Sequence, residues 1–130
     1  MKRMTRTVAA ILFTMALSSC AAQVRGALHV DAPYEDVFAA SVQAINDINY
    51  AVVRADAATG FIAAELGSIT SSKTVVNMSV LVKRAGDGTD VDVAIVPRPG
   101  VWEIGRGTKD HYREFKDALK SRFPNSKTNF

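Results

Sequence analysis

The sequence predicts an α+β fold in the order β-α-β-β-β-β-α, with an antiparallel sheet and two helices packed on one face. Three observations carry this. Val76, Met78, Val80 and Val82 alternate with Asn77, Ser79 and Lys83, and Val91, Val93 and Ile95 alternate with Asp90 and Asp92. Period two with one polar face marks half-buried strands. Gly86-Asp87-Gly88 supplies the turn between the two runs. Near the two ends of this region, Phe38, Val42, Ile45 and Ile48, and then Tyr112, Phe115, Leu119 and Phe123, recur at helical spacing.

Taken in order, residues 24–30 read as the first strand. Asp31-Ala32-Pro33 offers a cap and an early-turn proline for a helix running to about Asn49, with Val37, Ser41 and Ala44 flanking its apolar stripe. Residues 50–56 and 61–66 flank Ala57-Ala58-Thr59-Gly60, the layout of a hairpin with glycine at its turn. Residues 67–73 form a polar loop before the two alternating strands. After the loop 97–107 comes the second helix, which Pro124 ends. Four strands in succession after the first helix favour an antiparallel sheet with helices on one face.

The first twenty residues carry an address. Lys2, Arg3 and Arg6 precede an apolar run from Val8 to Leu17, and Leu17-Ser18-Ser19-Cys20 follows. This is the three-part layout of a secretory signal. Ten apolar residues rising ~1.5 Å each fall short of a hydrocarbon core ~30 Å thick, so the run is not a spanning helix. The segment resembles a bacterial lipobox, which implies cleavage between Ser19 and Cys20 and lipid on the Cys20 sulfur. Each buried methylene contributes ~0.8 kcal/mol, so two or three chains hold a protein stably on a membrane. Ala21 after the cysteine, by resemblance to enterobacterial sorting, implies the periplasmic face of the outer membrane. The expected organisation is a signal over 1–19, a lipidated N-terminus and tether over 20–23, one domain over 24–123 and a tail over 124–130.

Removal of the signal changes the charge argument. The chain has 16 Lys+Arg and 13 Asp+Glu, and the three signal cations are the whole excess. The remainder is formally neutral, which argues against a nucleic-acid partner. The single cysteine is committed to lipid, so no disulfide supports the domain. A tether of a few residues at ~3.3 Å each reaches ~10–15 Å, which holds the domain close to the bilayer.

Pro33-Tyr34-Glu35-Asp36-Val37-Phe38, Asn49-Tyr50-Ala51-Val52 and Thr59-Gly60-Phe61-Ile62 together resemble small bacterial lipoproteins whose domain is similar to those of the outer-membrane assembly lipoprotein BamC. The resemblance implies a helix-grip, or TBP-like, order over nearly all of the mature chain. It implies no particular activity.

Several constellations look chemical. Residues 67–74 nearly fit a phosphate-binding loop, but Ser72 replaces the second glycine and the stretch joins strands where that motif opens a helix. Asp87, Asp90 and Asp92 lack the spacing and distal glutamate of a calcium loop. They fall where a hairpin and its polar face are already required. His29 and His111 are far apart and no second cysteine exists, so no metal set is visible. Asp110 and His111 are adjacent in a helix and point about 100° apart, a poor dyad. No motif marks Ser68, Ser71 or Ser72 as a nucleophile. The expectation is a noncatalytic domain with no cofactor.

The loop bearing Arg98, Trp102 and Arg106 has the composition of a recognition surface, an aromatic anchor between charged groups. The competing expectation is that Trp102 and Ile104 seal the end of the core. The sequence thus favours a lipid-anchored binding or scaffolding domain with an envelope protein as its partner. One alternative is a carrier holding an apolar ligand between sheet and helices, in a cavity of ~300 Å³ or more. The other is a cryptic hydrolase, which requires convergent polar groups in a cleft.

Overall fold

The computed structural model describes residues 23–67, 74–97 and 107–125. The elements are β1 (Val24–Val30), α1 (Tyr34–Asp47), β2 (Ala51–Asp56), β3 (Phe61–Gly67), β4 (Thr74–Ala85), β5 (Gly88–Pro97) and α2 (Thr108–Ser121), in the predicted order. The strands form one sheet in the spatial order β1-β5-β4-β3-β2, and every neighbouring pair is antiparallel. Since β1 and β2 are opposite edges, α1 must carry the chain across the sheet. Four strand spacings are about 19 Å, and a 14-residue helix reaches about 21 Å.

Both helices cover one face. Leu28, Val30, Ile62, Ala64, Val76, Met78, Val80, Val82, Val91, Val93 and Ile95 point toward them and are buried, each from the apolar phase of its strand. Ile45, Phe115 and Leu119 fill the space between sheet and helices, each fully buried.

The buried stripe of α1 differs from the expected one. Tyr34, Val37, Ala40, Ser41, Ala44 and Ile45 are buried, whereas Phe38 and Val42 are only half-buried at its margin. Ala40, Ser41 and Ala44 are small, which lets the helix lie close to the strands and moves larger side chains to the sides. The Ser41 hydroxyl is satisfied within the helix by donating to the Val37 carbonyl at 2.7 Å. Neither Asp31 nor a first-turn proline starts the helix. Pro33 itself occupies the N-cap, with ψ 149° and no side-chain cap, because the extended ψ closes the turn through Val37 N–H to the Pro33 carbonyl at 3.1 Å. At the other end Asn49 takes φ 66°. Tyr50 N–H donates to Ile45 and Asn49 N–H to Asn46, the paired bonds of a Schellman stop.

In α2 the stripe holds Phe115 and Leu119, with Tyr112 and Phe123 half-buried. The fully buried turn before them belongs to His111, whose ring meets Tyr50 edge-on at 5.6 Å. Tyr112 instead lies over β1 at Gly26, where a Cβ would come within 2.2 Å of the Tyr112 ring. Burial raises the Tyr112 phenol above its ordinary pKa. The start of α2 is held by Asp110, which accepts from Gly107 N–H at 3.1 Å and pairs with Arg113. Its end is tied to α1 by Arg122, which donates to Asp47 and Gln43, each at 2.5 Å.

Candidate functional site

With both helices on one face, the other face of the sheet is open. The register places its side chains in rows that run across the strands. One row is Arg25, Ala94, Ser79, Ala63 and Arg54. The next is Ala27, Asp92, Leu81, Phe61 and Asp56. A third holds His29, Asp90 and Lys83. The first row has an arginine near each sheet edge and three small residues between, so the surface dips along the middle.

The dip is a cavity of about 480 Å³, lined by Arg25, Ala27, Asp92, Ala94, Ser79, Leu81 and Phe61, with Gly26, Val80 and Val93 beneath. Val80 and Val93 turn their side chains into the core, so only their main chain meets it. This cavity lies on the face away from the helices, not between sheet and helices where the carrier alternative placed it. Leu81 is 36% exposed and borders this trough beside its cross-strand neighbour Phe61.

The polar groups around the trough are mostly paired with one another. Asp92 Oδ2 lies 2.7 Å from Lys83 Nζ, and this carboxylate raises the lysine above its ordinary pKa. Asp90 Oδ1 lies 2.6 Å from His29 Nδ1. Asp90 and Asp92 thus occupy the polar face that alternation assigned them. At the far edge the Arg54 guanidinium sits over the Phe61 ring at 5.9 Å from its centroid and 3.9 Å from Asp56 Oδ2. The Asp56 carboxyl is held below its ordinary pKa first by the Ala58 amide and then by Thr59.

Ser79 has Ala63 and Ala94 as its cross-strand neighbours. The residues around the trough offer apolar contact with charged groups at its mouth. Among the described residues no three His, Cys, Asp or Glu side chains gather at metal-binding range, and no helix is long and apolar enough to cross a membrane.

Ser19, Cys20, Arg98, Trp102 and Arg106 lie outside the described residues, as do residues 68–73 of the phosphate-loop resemblance. Gly67 and Thr74, which flank the latter, pair across β3 and β4. The segment therefore joins two antiparallel strands, as the sequence reading expected. Nothing in the linear sequence marks the trough. Its members come from four strands, and only their register aligns them.

No family model matches the chain, and no curated protein matches it. Among solved structures, that of Ara h 8.0201 superposes with a TM-score of 0.52 at 12% identity, covering 79% of this chain and 98% of that one. TTHA0849 from Thermus thermophilus gives 0.47 at 12% identity, covering 78% and 97%. Protein CV1439 from Chromobacterium violaceum gives 0.44 at 13% identity, covering 79% and 95%. The likeness to Ara h 8.0201 is one of fold: a helix-grip arrangement of antiparallel sheet and helices.

Proposed function

We propose that this chain is a noncatalytic, lipid-anchored binding protein of the bacterial envelope, held on the periplasmic face of the outer membrane through Cys20. Its site is the open sheet face, on which it carries an apolar or amphipathic ligand. The observation that supports this reading is the trough. A volume of about 480 Å³ lies within the ~300–1,000 Å³ of small-molecule sites, which combine apolar lining with a few placed polar groups. The short tether sets the trough beside the bilayer, the source of such ligands.

Two experiments test the two halves. Cys20→Ser is expected to abolish membrane retention, and mass spectrometry of the wild-type N-terminus is expected to find lipid on Cys20. An unmodified Cys20 contradicts the anchor. For the site, a photoreactive phenylalanine analogue at Ser79 in the full chain is expected to form adducts in intact envelopes. The same analogue at Asp117, exposed on α2, is expected to form none. Adducts at Asp117 alone would move the site to the helices.

A further inference from the structure

We infer that the ligand of the trough is an anionic amphiphile, an acyl chain ending in a carboxylate, with the carboxylate on Arg25 and the chain against Leu81 and Phe61. This deepens the reading of the open face as a binding surface and rests on it.

The charge pattern selects the head group. Asp92 is answered by Lys83 and Asp90 by His29. Among the described residues, Arg25 meets no carboxylate. With the Gln23 amide turned so that its oxygen faces the guanidinium, Arg25 Nε and Nη2 donate to that oxygen at 2.8 and 3.1 Å. Both donors share the one amide oxygen, whereas a carboxylate offers an oxygen to each and makes the bidentate fork that suits arginine. The neutral amide holds the place that an anion would take with a stronger, charge-assisted bond.

The surface selects the tail. From Arg25 inward, Ala94, Ser79 and Ala63 follow in register, and three strand spacings give about 14 Å of low ground. Leu81 and Phe61 pair across β3 and β4 as one wall of this lane. A single chain lying there covers those apolar groups, leaves the His29–Asp90 pair in water and touches the Lys83–Asp92 pair only at Asp92, on the trough wall. A flat bilayer pressed on the same face would bury both pairs, which is costly for charged groups. One extracted amphiphile fits the face better than a membrane surface does.

The test uses the full chain in phosphatidylcholine vesicles, irradiated with diazirine-bearing palmitic acid, the matching palmityl alcohol or a diazirine phosphatidylcholine, with adducts mapped by peptide mass spectrometry. The acid is expected to label the strands bearing Ala27, Ser79 and Leu81 at least about fivefold more than the alcohol, a difference of about 1 kcal/mol that a charge-assisted bond supplies. Arg25→Gln is expected to erase that preference, and Ala94→Trp to remove labelling by both. Arg25 is exposed and clear of the core, so its variant keeps the test decisive even where the tryptophan disturbs the sheet. Equal labelling by acid and alcohol overturns the carboxylate while leaving the open-face reading standing. Absence of label from these strands overturns both. Labelling by the phospholipid that equals the acid and survives Ala94→Trp shows a face resting on the bilayer, and the inference falls.

Discussion

Gly60→Ala is expected to lower stability by about 3 kcal/mol, read as a fall in the urea midpoint of the chain. Gly60 has φ +78°, and a Cβ there would stand 2.0 Å from the Val82 carbonyl oxygen. The left-handed backbone alone costs an alanine roughly 1–2 kcal/mol. The contact is with main chain, so relief must come from shifting β3 against β4. That shift breaks the bond from Val82 N–H to the Gly60 carbonyl at 2.9 Å, worth about 1 kcal/mol net. The same turn is closed by Gly60 N–H to the Asp56 carbonyl at 2.8 Å and by the Tyr34 hydroxyl donating to Ala57 at 2.6 Å. Gly26→Ala is the control. Its clash is with the Tyr112 ring tip, which can swing aside, so its cost is expected to be clearly smaller. Equal effects would show that the β2–β3 turn is not the rigid point described here.

Phe115→Ala is expected to cost about 3–5 kcal/mol, the range for a buried phenylalanine cut to alanine. Phe115 is fully buried within the core shared by sheet and helices. Such a loss is a large share of the ~5–15 kcal/mol that holds a typical domain, so thermal unfolding should begin near ambient temperature. Phe115→Leu keeps most of the volume and is expected to cost under about 1.5 kcal/mol. If Phe115→Ala leaves the urea midpoint unchanged, α2 does not pack through this face.

How much of this was legible in the sequence depended on whether a feature is local. The alternation in β4 and β5 is a property of one strand against one core, so the open and buried faces could be assigned residue by residue. The Asp56 to Gly60 turn was likewise marked by its own residues. The buried stripe of α1 lies to one side of the one that apolar size predicts, because the closeness of Ala40, Ser41 and Ala44 to the strands decides burial. His111 was missed as a core residue for a related reason. Its spacing to Phe115 and Leu119 is that of the buried stripe, and only its polar type argued otherwise.

The trough was the least legible part. Arg25, Ala63, Ser79 and Ala94 are ordinary residues in their own strands, and nothing in any one strand marks them. They become a lane only once β1 lies beside β5, a pairing between the first and last strands. Antiparallel succession explains β2 through β5, but the edge that β1 joins is set by α1 crossing the sheet.

The most direct test of the open face as the binding site is hydroxyl-radical footprinting of the chain in intact envelopes and after extraction. Leu81 and Phe61 border the trough, while Val53 is exposed on the edge strand at 57% and serves as the internal reference. Leu81 and Phe61 are expected to be oxidised several-fold less in the envelope than after extraction, with Val53 unchanged. Equal oxidation of Leu81 and Phe61 in both states, or protection confined to the exposed side of α2, would contradict the open face as the binding site.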